Sequence, residues 1–444
     1  MQRQSAFAVR IDNPAGFLER LGALPGDHPS LCYLDERMDN EAPTQQRYLG
    51  KKGLIIFLAA LTAFPALSTD LYLPALPGMT AYFHVPEYQT NLTLILFFVV
   101  YAVSMLVWGP LSDRYGRKPI LLVGLTCYMV AGVLCAASAN VYQLMVFRIL
   151  QALGTGAAAA TATAIVKDVY HGRRREVILA IIQTMTILSP AVAPVIGALI
   201  LRFTSWRGAF VAQAILGLLV LAGSVVYSET VGEKLTGNPL SSLRRLGAVA
   251  KNRTFLFLIV EFSLLGMAMM AFISASSYIY QVTFGVSGQV YSLFFAIFAV
   301  SAAAGAQLYV WLSRRFERGR IITGCFALSA VSGLLVLLLG GRGPWAFILT
   351  FLPMPIAFSC SRPPAAYLML SQHEGDAGSV SGVMSAAHMA IASIGIVVVS
   401  LELWGRVEVI GTLILAFSVV SLGLWLVFGQ KLVRAQARAA KGGV

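Results

Sequence analysis

The sequence predicts an all-α membrane protein of twelve transmembrane helices in two pseudo-symmetric halves of six. Three observations predict it. Composition is the first: 57% of the residues are hydrophobic and 12% charged, against about 25% charged in an ordinary soluble domain. Spacing is the second. Beyond the first fifty of the 444 residues, apolar runs recur at the ~20 residues that a helix needs to cross hydrocarbon. The third is the placement of positive charge. Of 33 Lys and Arg, 27 fall in segments that alternate crossing puts on one face, taken as cytoplasmic; four (Arg202, Arg207, Arg342, Arg406) fall on the other, and two (Arg148, Arg362) within spans. That bias sets both termini inside. It also absorbs the net charge of +13, so no nucleic-acid partner is implied.

In chain order, residues 1–52 form a polar cytoplasmic segment with no apolar run suited to a signal peptide. Met38 stands just before Asp39-Asn40-Glu41, so translation can begin there and residues 1–37 need not be native. Six spans follow within 53–228, at 53–76, 89–111, 119–138, 143–166, 177–201 and 208–228. A cytoplasmic linker, 229–253, leads to six more within 254–429, at 254–277, 290–312, 321–340, 345–370, 379–402 and 410–429, and to a cytoplasmic tail, 430–444. Five cysteines lie mostly within apolar runs without paired spacing, so neither a disulfide nor a metal site is expected.

The densest polar stretch, Gly109-Pro110-Leu111-Ser112-Asp113-Arg114-Tyr115-Gly116-Arg117-Lys118-Pro119, joins spans two and three. Such charge cannot lie in hydrocarbon. Gly109 and Gly116 free the backbone where the helices are expected to stop, and Pro119 suits a first helical turn that needs no amide donor. Leu312-Ser313-Arg314-Arg315-Phe316-Glu317-Arg318 repeats its shape after the eighth span without the aspartate or the central glycine. Parallel halves with a substrate site between them follow from such a repeat. The run Gly154–Ala164 is almost all small residues, which lets helices approach closely. Pro190 and Pro194 each delete a hydrogen bond from span five and Gly197 leaves room for a neighbour, a hinge-like combination.

Charges inside the membrane ask for a role, since each costs at least ~2.5–3.5 kcal/mol. They are Asp70, Arg148, Glu261, Arg362 and, at a helix end, Glu402. Counting along the spans places Asp70 and Arg148 together in the outer half, and Glu261 and Arg362 at matching depth nearer the cytoplasm. Either couple can therefore pair, and Asp70, Arg148 and Glu261 are candidates for proton coupling. Tyr72, Tyr101 and Tyr278 can stack on a flat substrate in a cavity that Arg362 also lines, Trp108 reads as an interfacial anchor, and His388 as a packed neutral ring. No nucleotide loop, metal cluster or nucleophile with a base is present, so no enzyme is implied.

Four motifs carry a resemblance. Gly109–Pro119 resembles the signature between the second and third helices of major facilitator transporters. Asp70-Leu71-Tyr72-Leu73-Pro74-Ala75-Leu76-Pro77 resembles the aspartate-tyrosine-proline signature of twelve-span drug:proton antiporters, especially the bicyclomycin and chloramphenicol resistance (Bcr/CflA) branch. Arg148-Ile149-Leu150-Gln151-Ala152-Leu153-Gly154-Thr155-Gly156 is similar to the fourth-span arginine motif. Ser189-Pro190-Ala191-Val192-Ala193-Pro194-Val195-Ile196-Gly197-Ala198 is similar to the fifth-span antiporter motif, with Ala198 where that pattern has a second glycine.

The resemblance implies the major facilitator fold and a monomeric exporter in the bacterial inner membrane. Small, mostly apolar toxic compounds such as antibiotics would leave in exchange for protons, driven by the proton gradient without a cofactor. It also implies a conformational latch of Gly109, Asp113, Arg114, Gly116, Arg117 and Asp168. Asp113 is expected to face the start of span eleven and Arg117 to meet Asp168, both contacts forming when the cavity opens outward and breaking when it opens inward. A proton-coupled transporter of one sugar or amino acid is the alternative.

Overall fold

A backbone in hydrocarbon must satisfy its own hydrogen bonds, so each apolar run becomes a helix. The computed structural model describes residues 46, 48–170, 172–231, 252–372, 377–401 and 404–430. Segment 1–45 with Met38, nearly all of the central linker, the tail from 431, and Glu402 lie outside the described residues. Among the described residues the long helical elements are α1 Gly50–Phe83, α2 Glu87–Tyr115, α3 Arg117–Ala137, α4 Val141–Val169, α5 Gly172–Phe203 and α6 Trp206–Val226 in the first half. In the second they are α7 Arg253–Thr283, α8 Gly288–Leu312, α9 Arg318–Arg342, α10 Pro344–Leu370, α11 Ala377–Ser400 and α12 Arg406–Gly429. Eleven are long and apolar enough to cross a membrane; the apolar stretch of α5 is the shorter Leu188–Phe203.

Local chemistry sets the ends. Asn140, Asn252 and Ser287 accept from the first free amides of α4, α7 and α8, donors that would otherwise be orphaned. α1 breaks after Asp70 into a 3-10 turn at Leu73–Ala75 and a final piece, Leu76–Phe83, with Pro74 and Pro77 in first turns where no donor is needed. It therefore runs past the expected limit at 76. α2 continues through Gly109 and Pro110 to Tyr115, so the expected stop at Gly109 is wrong: a proline at helical φ bends a helix more readily than it ends one. The reversal falls at Gly116 alone, at φ 106°, a region that only glycine enters freely.

The packing repeats itself. α1 against α5, α3 against α4 and α3 against α6 recur as α7 against α11, α9 against α10 and α9 against α12. The main contacts between the halves are α2 with α11 and α5 with α8, and exchanging the halves turns one into the other, as parallel repeats require. Even the closest approaches correspond: a Cβ on Gly197 of α5 would collide with the Leu71 carbonyl of α1, and one on Gly395 of α11 with the Met267 carbonyl of α7.

The apolar cores show which end holds the halves together. Toward the basic end, where the α2–α3 turn lies, each half keeps its own cluster, one around Phe57, Phe64 and Tyr128, the other around Phe255, Phe326 and Trp425. A third cluster includes Tyr72, Phe97 and Phe210 of the first half and Phe272, Tyr291 and Phe351 of the second.

Candidate functional site

Arg148, on α4, is fully buried. Its Nη1 donates to the Ser68 carbonyl at 3.0 Å and to Gln151 Oε1 at 2.6 Å. Gln151 in turn donates to Gln213 at 2.9 Å, and Gln213 to the Ser68 carbonyl at 3.3 Å. This ring of neutral acceptors ties α4 and α6 to α1. The guanidinium lies 4.1 Å from the centroid of Phe97 and 4.6 Å from that of Tyr72, and the electron-rich ring faces stabilise its charge. Nε and Nη2 remain without a partner.

Asp70 is buried beside this cluster and accepts a hydrogen bond from Thr69 Oγ1 at 3.0 Å. It forms no ion pair with Arg148. The sequence reading places the two at one depth, and the structure brings Arg148 to the backbone two residues away from Asp70; the carboxyl projects from another face of α1. Tyr72 belongs to the arginine cage, its hydroxyl 3.2 Å from Thr93 Oγ1, and Tyr101 is buried with its ring stacked on Phe97, 6.2 Å between centroids.

At the end away from the basic turns, polar contacts seal the halves to each other. The hydroxyls of Thr80 and Tyr278 are 2.8 Å apart, Asn91 donates to Ser400 at 2.8 Å, and Gln281 to the Pro74 carbonyl at 3.0 Å. Ser292 of α8 donates to the carbonyl of Pro194 at 2.9 Å, and Arg406 forms an ion pair with Glu87. Tyr278, expected in the substrate cavity, is thus part of the seal. Pro190 and Pro194 lie inside α5, and Gly197 presses that helix against the break in α1, where the expected hinge would act.

A cavity of about 360 Å³ opens between α7, α10 and α11. Its apolar walls include Ile259, Phe262, Met369 and Met384; Arg362, Ser263, Ser385 and His388 are its polar groups. Arg362 faces it as expected, 5.5 Å over the ring of Phe358. Glu261 does not. Residues 259, 262 and 263 share one face of α7, which at 100° per residue turns 261 to the back. There Glu261 is fully buried, its backbone carbonyl accepts from Ser421 of α12 at 3.4 Å, and neither carboxyl oxygen has a partner. The expected Glu261–Arg362 pair is absent because equal depth does not fix azimuth. His388 packs as expected, stacked on Phe358 with 6.0 Å between centroids and Nδ1 3.1 Å from Ser263 Oγ. Trp108 does not serve as a free interfacial anchor, since its ring nitrogen donates to the Leu153 carbonyl of α4 at 2.9 Å.

The α2–α3 turn carries an ionic network. Arg117 donates to Asp168 at 2.8 Å, to Asp113 at 2.6 Å and to Ser112 at 2.7 Å. Glu229, just after α6, accepts from the backbone amides of Arg117 and Lys118, both at 3.0 Å, an anion on the positive end of α3. The bare Cα of Gly116 is what admits it. Arg114 lies exposed, 5.4 Å from the Tyr115 ring centroid, and Gly109 has nothing against it. The expected Arg117–Asp168 contact is formed. It is formed with the halves in contact at the opposite end. Asp113 is bound by Arg117 in its own half; most side chains at the start of α11, which it is expected to face, lie outside the described residues.

Glu229 and the Gln151–Gln213 pair were not legible as site residues. A glutamate in a polar linker and glutamines in apolar helices carry no spacing signal.

Comparison with known proteins agrees with this architecture. Residues 56–396 match the family model for the Major Facilitator Superfamily. YdgK of Bacillus subtilis, an uncharacterized MFS-type transporter, is 29% identical over 258 residues, 57% of this chain and 64% of its own. A chloramphenicol resistance protein of Pseudomonas aeruginosa is 35% identical over 194 residues, 43% of this chain and 46% of its own. The multidrug resistance protein MdtL of Salmonella paratyphi B is 28% identical over 270 residues, 61% and 67% of the two chains. The chain thus aligns with less than two thirds of the length of the first two relatives. Among solved structures, a peptide transporter POT in complex with sulfate superposes with a TM-score of 0.71 at 14% identity, over 88% of this chain and 97% of that one. The xylose transporter XylE of E. coli, partially occluded and inward open, gives 0.64 at 15%, over 84% and 97%. Likeness at that identity speaks for the fold, and the match over residues 56–396 for descent: the chain belongs to the Major Facilitator Superfamily, a family of membrane transporters.

Proposed function

We propose that this protein is a proton-coupled exporter of small toxic compounds, set in the bacterial inner membrane with its basic end in the cytoplasm. The observation that carries the reading is the pairing that is missing. A buried arginine with two unbonded nitrogens stands beside a buried carboxyl whose bond comes from a neighbouring hydroxyl. A buried carboxyl without a cation is favoured in its protonated form, and one touching arginine in its ionised form. In a conformation sealed at the outer end, Asp70 carries its proton. Releasing that proton to cytoplasmic water leaves a carboxylate attracted to the free edge of Arg148, and movement of α1 against α5 brings the two together. Opening outward admits water to Asp70, which takes up a proton again and lets go of Arg148.

The relatives named for chloramphenicol and multidrug resistance support the choice of substrate. A monomer suffices, because the path runs between two halves of one chain, and the proton gradient is the only drive required. Glu261, behind α7, has no part in this cycle. The test is resistance of an efflux-deficient bacterial host that expresses the chain, across a panel of unrelated compounds and with Asp70→Asn beside it. Resistance to several compounds that vanishes in the variant is the expected result. Resistance to none, with proton-linked movement of one sugar or amino acid, would establish the metabolite reading instead.

A further inference from the structure

The cavity between α7, α10 and α11 is built around a cation, Arg362, that has no carboxylate partner among the described residues. Arg362 has no ion pair and no hydrogen bond among the described residues; its guanidinium lies over the ring of Phe358, 5.5 Å from the centroid. The carboxylate nearest in sequence register, Glu261, is turned to the far side of α7 and sealed there. A planar guanidinium resting on a ring keeps its edge of N–H donors free, and that edge matches the two oxygens of a carboxylate.

The neighbours hold this arrangement in place. His388 stacks on Phe358 as well, tethered by Ser263 at 3.1 Å. It fits only because position 266 of α7 is glycine, where a Cβ would come within 2.6 Å of the His388 ring. Across from this polar wall, Phe262, Met369 and Met384 offer polarizable apolar surface. Arg148, which is fully buried, likewise has no carboxylate partner, whereas Arg362 is exposed to its cavity.

We propose that the cavity takes amphipathic organic anions, with an aromatic or aliphatic body against Phe262, Met369 and Met384 and a carboxylate or similar oxyanion on Arg362. Cations of the same shape are rejected, since a second positive charge would share the cavity with Arg362. This deepens the export reading by naming the substrate class, and it rests on that reading only for the direction of movement.

Equilibrium binding to the purified full-length chain in detergent at neutral pH tests it without any proton gradient. The probes are 1-naphthoate, its neutral isostere 1-naphthamide, and 1-naphthylmethylammonium. Naphthoate should bind about tenfold more tightly than the amide, the usual margin of a charge-assisted bond, with the ammonium weakest. Arg362→Gln should bring naphthoate down to the amide, Arg362→Lys should keep part of the preference, and Met384→Ala should weaken the acid and the amide alike. Equal binding of acid and amide by the wild-type protein would overturn the assignment even if no variant folds. So would tightest binding of the ammonium, absence of binding by all three probes, or an anion preference that survives Arg362→Gln. Loss of proton-driven export with this binding order intact would refute the coupling reading alone.

Discussion

Arg148 donates to the carbonyl of Ser68 at 3.0 Å, yet leaves the carboxyl of Asp70, two residues along the same helix, to Thr69. The backbone carbonyl holds the guanidinium in place while the side chain that would neutralise it stays out of reach. Lysine cannot take over this position, because an ammonium lacks the planar face that lies on Phe97 and Tyr72. Arg148→Lys should therefore insert normally and lose at least ~10-fold in proton-driven transport, a ΔΔG of about 1.4 kcal/mol. Initial rates in vesicles, normalised to folded protein, check this.

The network at the α2–α3 turn ranks its own members. Arg117 is buried and serves three acceptors, whereas the side chain of Asp113 is 41% exposed. Arg117→Gln should cost about 2 kcal/mol, the range for hydrogen bonds to charged groups, Asp168→Asn less, and Asp113→Asn below ~1 kcal/mol. Chemical unfolding in detergent reads the order. A larger loss for Asp113 than for Arg117 would mean that the network is organised around the wrong residue.

Two glycines allow helices to touch and one does not. Gly197→Ala and Gly395→Ala should each cost about 1–3 kcal/mol, because the added methyl meets a backbone carbonyl that cannot move aside. Gly109→Ala meets nothing and lies inside a helix, so it should stabilise by ~0.5–1 kcal/mol. Folded yield and thermal unfolding of the three variants separate these outcomes.

Sealing at the end away from the basic turns depends on polar pairs that span the halves. Tyr278→Phe removes the bond to Thr80 and should release ~1 kcal/mol of closure, about a fivefold shift toward the form open at that end. Double electron–electron resonance between spin labels on α1 and α7 at that end reports that shift. An unchanged distance distribution would show that the ion pair of Glu87 and Arg406 and the apolar core close this end by themselves.

Glu261 and Arg362 should behave as strangers. In a double-mutant cycle with Glu261→Gln and Arg362→Gln, the coupling energy should fall within the ~0.3–0.5 kcal/mol typical of independent sites. A coupling well above that would restore the pair that equal depth in the membrane suggests.

What the sequence could convey follows from these cases. The helical spans and the depth of Arg148 beside the Asp70 segment were legible, since apolar runs recur at membrane length and hydrocarbon forbids unplaced charge. The contact of Arg117 with Asp168 was legible as well, because the stretch that contains Arg117 resembles a known signature. Direction around a helix was not. Glu261 shares α7 with the cavity wall and faces away from it, and a run apolar on every side gives no period from which to read that angle. Long-range polar partners were equally hidden: nothing near Tyr278 in the chain points to Thr80, and nothing in the linker marks Glu229 as the cap of α3. The stop expected at Gly109 failed for a local reason, since Pro110 sits at an angle that a helix tolerates.

The central claim, that Asp70 exchanges its proton as the two halves alternate, is tested most directly in proteoliposomes carrying a compound to which the chain confers resistance. An imposed pH gradient should drive that compound uphill through the wild-type protein and not through Asp70→Asn, while downhill exchange of labelled compound across the same membrane persists in the variant. Uphill, gradient-dependent accumulation by Asp70→Asn at the wild-type rate would contradict it.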